Sequence, residues 1–128
     1  MELESLTIDR AKDAVASGEV TATALAEAHY ARIAAEDGAI NSFLALSRER
    51  ALTQAAKIDG MVSKGEPLPV LAGVPVGIKD VLAMQGAPAT AGSLILKGYR
   101  PPYDATAVAR LEAAGAVLLG KLNCDEFA

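Results

Sequence analysis

Two different hydrophobic patterns divide the chain near residue 66. Before that point, apolar residues recur three and four apart, which is the spacing of helices with one buried face. Residues 7–17 place Ile8, Ala11 and Val15 on one face, and Gly18 follows as a stop. Thr21 is a candidate N-cap, since its hydroxyl can accept from an otherwise unpaired amide. A second helix then runs to about Ala35, with Leu25, Ala28 and Arg32 on one stripe, before the turn signal Asp37-Gly38. The short apolar run at residues 43–46 fits either a strand or the entry to a helix. Ser47 is a candidate cap for a third helix carrying Ala51, Leu52, Ala55 and Ile58, ending near Gly65.

After residue 66 the helical period gives way. Residues 74–78 are apolar on both alternating faces, as in a strand covered on both sides. Pro75 lies inside this run and favours an edge strand, a strand start or a bulge. Gly86, Pro88 and Gly92 mark a long loop. Asp104 follows two prolines and a tyrosine as a candidate N-cap. Val108, Leu111 and Ala114 then return to helical spacing, and Gly115 ends it. Residues 116–119 read as a second buried strand. Strand, helix and strand joined in this way predict a parallel, right-handed crossover unit. The expected fold class is α/β: N-terminal helices in 1–66, followed in 67–128 by the first βαβ part of a mixed sheet.

Composition sharpens the division. Residues 1–66 hold 7 basic and 11 acidic residues and no proline, whereas 67–128 hold 5 of each charge and all 6 prolines. A net charge of -4 argues against a free-standing nucleic-acid binder, which needs a basic face to displace counterions. The single cysteine, Cys124, excludes an internal disulfide and a cysteine-only zinc site, and the single histidine, His29, excludes a His-His metal motif. The acidic start has no basic n-region and apolar h-region, and no apolar run reaches about 18 residues, so the reading is a cytoplasmic chain with no membrane segment.

Lys79 is the main candidate for chemistry. It stands at the exit of the first apolar strand, and ligands of open α/β sheets bind beyond the carboxyl ends of strands. Burial there would disfavour its ammonium form. Action as a base near neutral pH needs a shift of roughly three units from about 10.4, equivalent to about 4 kcal/mol. The plainer reading is a lysine paired with a carboxylate such as Asp80, or snorkelling to water. The other features are weaker. Asp125-Glu126 reads as a helix start or a solvated turn, Cys124 as a small buried hydrophobe and His29 as structural. None of the serines lies in a Gly-x-Ser-x-Gly elbow, and Gly73-Val-Pro-Val-Gly lacks the spacing of a phosphate loop.

The stretch LAGVPVGIKDVLAMQGAPATAGS and the later PPYDATAVARLEAAGAVLLGKLNCDEFA closely resemble the amidase signature family. The IKD core and the YDAT…AGAV..GK.N..EF block, at this spacing, carry the resemblance, which extends over nearly all of the chain. It implies the amidase signature fold, of which 67–128 would be the start of the α/β core. It implies a Ser–cis-Ser–Lys triad that hydrolyses an amide, with Lys79 as the triad lysine. The two serines of the family lie in a Gly/Ser-rich stretch beyond the DEFA motif, outside these 128 residues, so the chain alone is expected to be inactive.

The N-terminal ARIAAEDGAINSFLAL segment and the final DEFA point, within the family, to the branch that serves tRNA-dependent amidation. That resemblance implies a parent that releases ammonia from glutamine inside a heterotrimer. No cofactor is implied for this chain. ATP and Mg would be used by a partner subunit, which would also make the main contacts with tRNA. A stand-alone amidase of the same family and a non-catalytic fragment with a folding or assembly role are the alternatives.

Overall fold

The computed structural model describes residues 3–128. Three helices come first: α1 (Ile8–Ala16), α2 (Ala22–Ile40) and α3 (Arg48–Lys64), with strand β1 (Phe43–Leu46) between the last two. Strand β2 (Pro75–Lys79), helix α4 (Thr106–Ala113) and strand β3 (Val117–Leu122) complete the chain. The sheet is mixed, in the order β1-β3-β2. β3 runs parallel to β2 and antiparallel to β1. The βαβ unit and the mixed sheet expected from the pattern are therefore present, and Pro75 begins an edge strand, where its missing N–H leaves no hole in a ladder.

Capping chemistry explains the helix starts. Thr7 and Thr21 both adopt extended backbone and accept from the amides of Arg10 and Ala24. The start of α2 has a second acceptor from outside its own sequence. The Asp59 carboxylate on α3 takes the amide of Ala22 at 2.6 Å, the amide of Thr23 at 3.1 Å and the Thr23 hydroxyl at 2.6 Å. A negative charge at a helix N-terminus satisfies unpaired donors and opposes the helix dipole. Here it also ties α2 to α3.

Four local expectations are corrected. Helix α2 does not stop before Asp37-Gly38 but continues to Ile40, where Asn41 takes the left-handed conformation (φ 58°). Asp37 is the cause: its carboxylate accepts from the amides of Ser42 and Phe43 and turns the chain directly into β1. Ser47 does not cap α3, because its hydroxyl donates instead to the carbonyl of Leu118 at 2.6 Å. Asp104 does not cap α4, whose N-cap is Ala105. It bonds Arg50 through both carboxylate oxygens and accepts from the amide of Gln85. The buried stripes also move: Ile8 is exposed, and α2 buries Ala22, Leu25, Ala26 and Tyr30 rather than Ala28 and Arg32.

The core lies on the two faces of β3. On one side α1, α2 and α3 contribute Val15, Leu25, Tyr30, Ala55 and Ile58 against Val117 and Leu119. Tyr30 is buried and donates its hydroxyl to the Leu119 carbonyl at 2.9 Å. Burial pushes that phenol up to about 12. On the other side Ile78, Met84, Val108 and Leu118 form a second cluster under the loop that follows β2. Alanines, among them Ala11, Ala22, Ala26, Ala51 and Ala55, supply much of what the helices bury.

Candidate functional site

The carboxyl ends of β2 and β3 lie side by side, with Lys79 in register with Leu122. Lys79 is exposed. Its amine makes no hydrogen bond or ion pair among the described residues. The burial expected for it is therefore not supplied by the described residues, and Asp80 is not its partner.

The partner of Asp80 is Lys121. Successive strand residues face opposite sides, and the register sets Lys121 beside Ile78, on the face that Asp80 shares. Lys121 is 0% and Asp80 1% exposed, and Lys121 Nζ lies 2.8 Å from Asp80 Oδ1. The ammonium also donates to the Pro88 carbonyl at 3.0 Å. The other carboxylate oxygen, Oδ2, accepts from the Thr90 amide at 3.1 Å, the Thr90 hydroxyl and the Gly92 amide at 3.5 Å. Burial works to raise the Asp80 carboxyl, but the Lys121 ammonium and the Thr90 donors outweigh it and hold the group below the usual carboxylate range. A charged lysine inside the buried run of β3 was the available signal for this pair: a buried ammonium requires an opposite charge. Proximity in sequence pointed to Lys79 and Asp80 instead.

The loop after β2 is thus sewn to the strand end, and the last residues of the chain close over it. Ser93, 4% exposed, donates to Glu126 Oε1 at 2.6 Å. The Phe127 amide donates to the Ala91 carbonyl at 2.8 Å. Gly92 has φ +67°, and a Cβ there would stand 2.7 Å from the Cys124 carbonyl oxygen, so only glycine fits this approach. Asp125-Glu126 belongs to a bonded turn rather than to a helix, and Cys124 is half-buried beside the loop. His29 bonds the Leu25 carbonyl through Nδ1 within its own helix.

Chemically, the edge offers the free amine of Lys79 and a rigid frame behind it. No serine hydroxyl bonds Lys79 among the described residues, so the amine has no nucleophile to activate there. No group of three or more His, Cys, Asp or Glu side chains among the described residues could hold a metal ion. A separate cleft of about 660 Å³ lies between the start of α3 and residues 85–88. Its arginine Arg50 is already neutralised by Asp104 and Glu112, each 2.7 Å away, and Lys79 does not line it.

Known proteins resemble this chain along nearly its whole length. A glutamyl-tRNA(Gln) amidotransferase subunit of Koribacter versatilis (strain Ellin345) is 58% identical over 128 residues, which is 100% of this chain and 27% of the relative. The corresponding subunit of Chloroflexus aggregans is 54% identical over 127 residues, 99% of this chain and 26% of its own length. The chain therefore spans about a quarter of the curated relatives it matches. Among solved structures, a chain from a vestigial protein complex tied to the origins of an s-triazine catabolic enzyme superimposes with TM-score 0.93 at 42% identity. That match covers 96% of this chain and 27% of the other. The peptide amidase of Stenotrophomonas maltophilia superimposes with TM-score 0.89 at 35% identity, over 97% of this chain and 26% of its own. The family model described as Amidase matches residues 24–128, the span that holds all three strands, the exposed lysine and the frame behind it: the chain belongs to the amidase family.

Proposed function

We propose that this chain is the N-terminal quarter of a glutamine-hydrolysing subunit of a tRNA-dependent amidotransferase, which converts Glu-tRNA(Gln) to Gln-tRNA(Gln). The observation that carries the reading is 58% identity along the full 128 residues to one subunit of a glutamyl-tRNA(Gln) amidotransferase. The stand-alone amidase reading is supported less, because the peptide amidase shares the fold at only 35% identity.

In this reading Lys79 is the base of a Ser–cis-Ser–Lys triad. A serine attacks the side-chain amide of glutamine, and its proton passes through a bridging serine to the Lys79 amine. Ammonia leaves, an acyl-enzyme forms, and water then releases glutamate. Both serines and the donors for the oxyanion belong to the remainder of the protein. A partner subunit of the heterotrimer uses ATP and Mg to activate glutamate on the tRNA, which the ammonia amidates. No cofactor is assigned to this chain. The proposed compartment is the cytoplasm; no helix among the described residues is long and apolar enough to cross a membrane.

The test is glutamine hydrolysis by the longer polypeptide assembled with its partner subunits. Lys79→Ala abolishes turnover, and so does Lys79→Arg, since a guanidinium does not deprotonate in the working range. Because Lys79 is exposed here, Lys79→Ala leaves the stability of the 128-residue chain within about 0.5 kcal/mol. Near-normal turnover in Lys79→Arg overturns the assignment of the base. Turnover by the isolated 128 residues that disappears in Lys79→Ala overturns the dependence on serines supplied from outside.

A further inference from the structure

We infer that Asp80 and Lys121 are positioning residues for Lys79, locking the end of β2 and the loop at residues 88–92 into one arrangement so that the amine is presented from a fixed backbone. This deepens the function proposed above and rests on it.

Three observations converge. The first is the completeness of the lock. Lys121 bonds both Asp80 and the Pro88 carbonyl, and Asp80 spends its remaining oxygen on Thr90 and Gly92. One buried pair therefore joins the central strand, the edge strand and both ends of the loop at residues 88–92. The second is backbone fixation on each side of Lys79. The Asp80 amide donates to the Leu122 carbonyl at 2.9 Å, and the Lys79 carbonyl accepts from the Leu82 amide at 3.0 Å. The third is the contrast within the pair of lysines. The buried one is immobilised as a cation by a carboxylate, while the exposed one makes no bond of its own among the described residues. A flexible four-carbon side chain can deliver its amine to one place only if its backbone does not move, and small misplacements of a catalytic group are expensive in rate.

A buried ion pair is a poor device for stability, because isosteric apolar or neutral replacements are often as stable. It is a good device for fixing one arrangement, because its donors and acceptors match in only one way. That separates positioning from general support of the fold, and it sets the experiment.

The longer polypeptide, assembled with its partners, is compared with four variants. Lys79→Ala reports whether the amine is the base at all. Lys121→Met combined with Asp80→Asn removes both charges while keeping volume and an acceptor for Thr90. Thr90→Val removes one hydroxyl donor at constant shape, and Thr90→Ser restores it. Folding of each is followed by far-UV circular dichroism and thermal unfolding. The expected result is a fall in kcat of at least tenfold in the folded double variant, with KM for glutamine within twofold. Thr90→Val shows a smaller fall of the same kind, and Thr90→Ser returns to within twofold of the parent. A folded double variant with unchanged kcat overturns the inference, as does a loss carried by KM alone. If the double variant fails to fold, the two Thr90 variants decide: equal kcat in Thr90→Val and the parent overturns it. Should Lys79→Ala keep its turnover, the proposed function falls and this inference with it. Loss of turnover in Lys79→Ala together with a fully active double variant rejects the positioning role and leaves the proposed function standing.

Discussion

Replacing Lys121 by methionine isolates the energetic side of the buried pair. In the parent, Asp80 is held below the usual carboxylate range although burial opposes it. Its ionised form therefore contributes stability that is present above the unfolded value of about 3.9 and is lost as the pH falls through the lower folded value. Lys121→Met removes the counter-charge of a carboxylate that is 1% exposed. The donors on Oδ2 remain, but Oδ1 is orphaned and burial becomes the dominant influence. Breaking a buried pair from one side costs about 3–5 kcal/mol. A domain of this size has only about 5–15 kcal/mol in total. The sign of the pH dependence reverses as well. With its folded value now raised above the unfolded one, Asp80 penalises the folded state at neutral pH and stops doing so once it is protonated. The deficit of the variant thus shrinks in acid while the parent loses its own contribution there. Urea unfolding followed by circular dichroism at pH 7.5, 5.5 and 4.0 measures both curves. The expected outcome is a gap of about 3–5 kcal/mol at pH 7.5 that narrows progressively towards pH 4. Addition of Asp80→Asn should recover all but about 1–2 kcal/mol of it at neutral pH. A gap of the same size at all three pH values would refute the reasoning.

Two further substitutions test the frame away from the sheet edge. Gly115 has φ +94°, and a Cβ there would meet Pro69 Cγ at 2.6 Å and Ala72 Cα at 2.9 Å. Gly115→Ala should therefore lower stability by about 2–4 kcal/mol, strain and crowding together, read from the urea midpoint, and an unchanged midpoint contradicts the geometry. Asp59→Ala removes the acceptor that α3 offers to the start of α2, and should lower stability by about 1–2 kcal/mol. Faster hydrogen exchange at Ala22 and Thr23 than at Ala24, whose acceptor Thr21 survives, identifies that cap as the cause.

Periodic segments were legible because burial of one face leaves a trace in the residues themselves. The three main helices and the two apolar strands follow from spacing, and Pro75 falls at the start of an edge strand, among the places proline chemistry allows. The cover on both faces expected over 74–78 is not found, since Pro75, Val76 and Gly77 are only half-buried. Boundaries set by distant partners were not legible. Asp37-Gly38 has the composition of a turn, yet the α2 helix continues through it to Ile40, because the Asp37 carboxylate bonds the amides of Ser42 and Phe43 beyond the end. Asp104 has the chemistry of a cap, yet Arg50, far away in sequence, claims it. At the sheet edge, the position of Lys79 at a strand exit was legible from the apolar run before it. The frame behind it was not, because the Asp80–Lys121 pair spans 41 residues and only the strand register sets the two side chains on one face. Ser93 and Glu126, likewise, meet only once the loop has folded back.

The central position of β3 has a consequence for how the chain is made. β3 is the last regular element among the described residues, and within them both other strands pair only with it. Phe43 leaves the ribosome roughly 80 residues before its partner Leu122. At about 5–20 residues per second, β1 therefore waits on the order of 4–16 s without a neighbour. During that interval α2 and α3 have each other to pack on, but the hydroxyl of Tyr30 lacks the Leu119 carbonyl that it bonds in the finished fold. Sheet, core and lysine frame all include residues of 117–122, so none of them is complete until that segment has emerged.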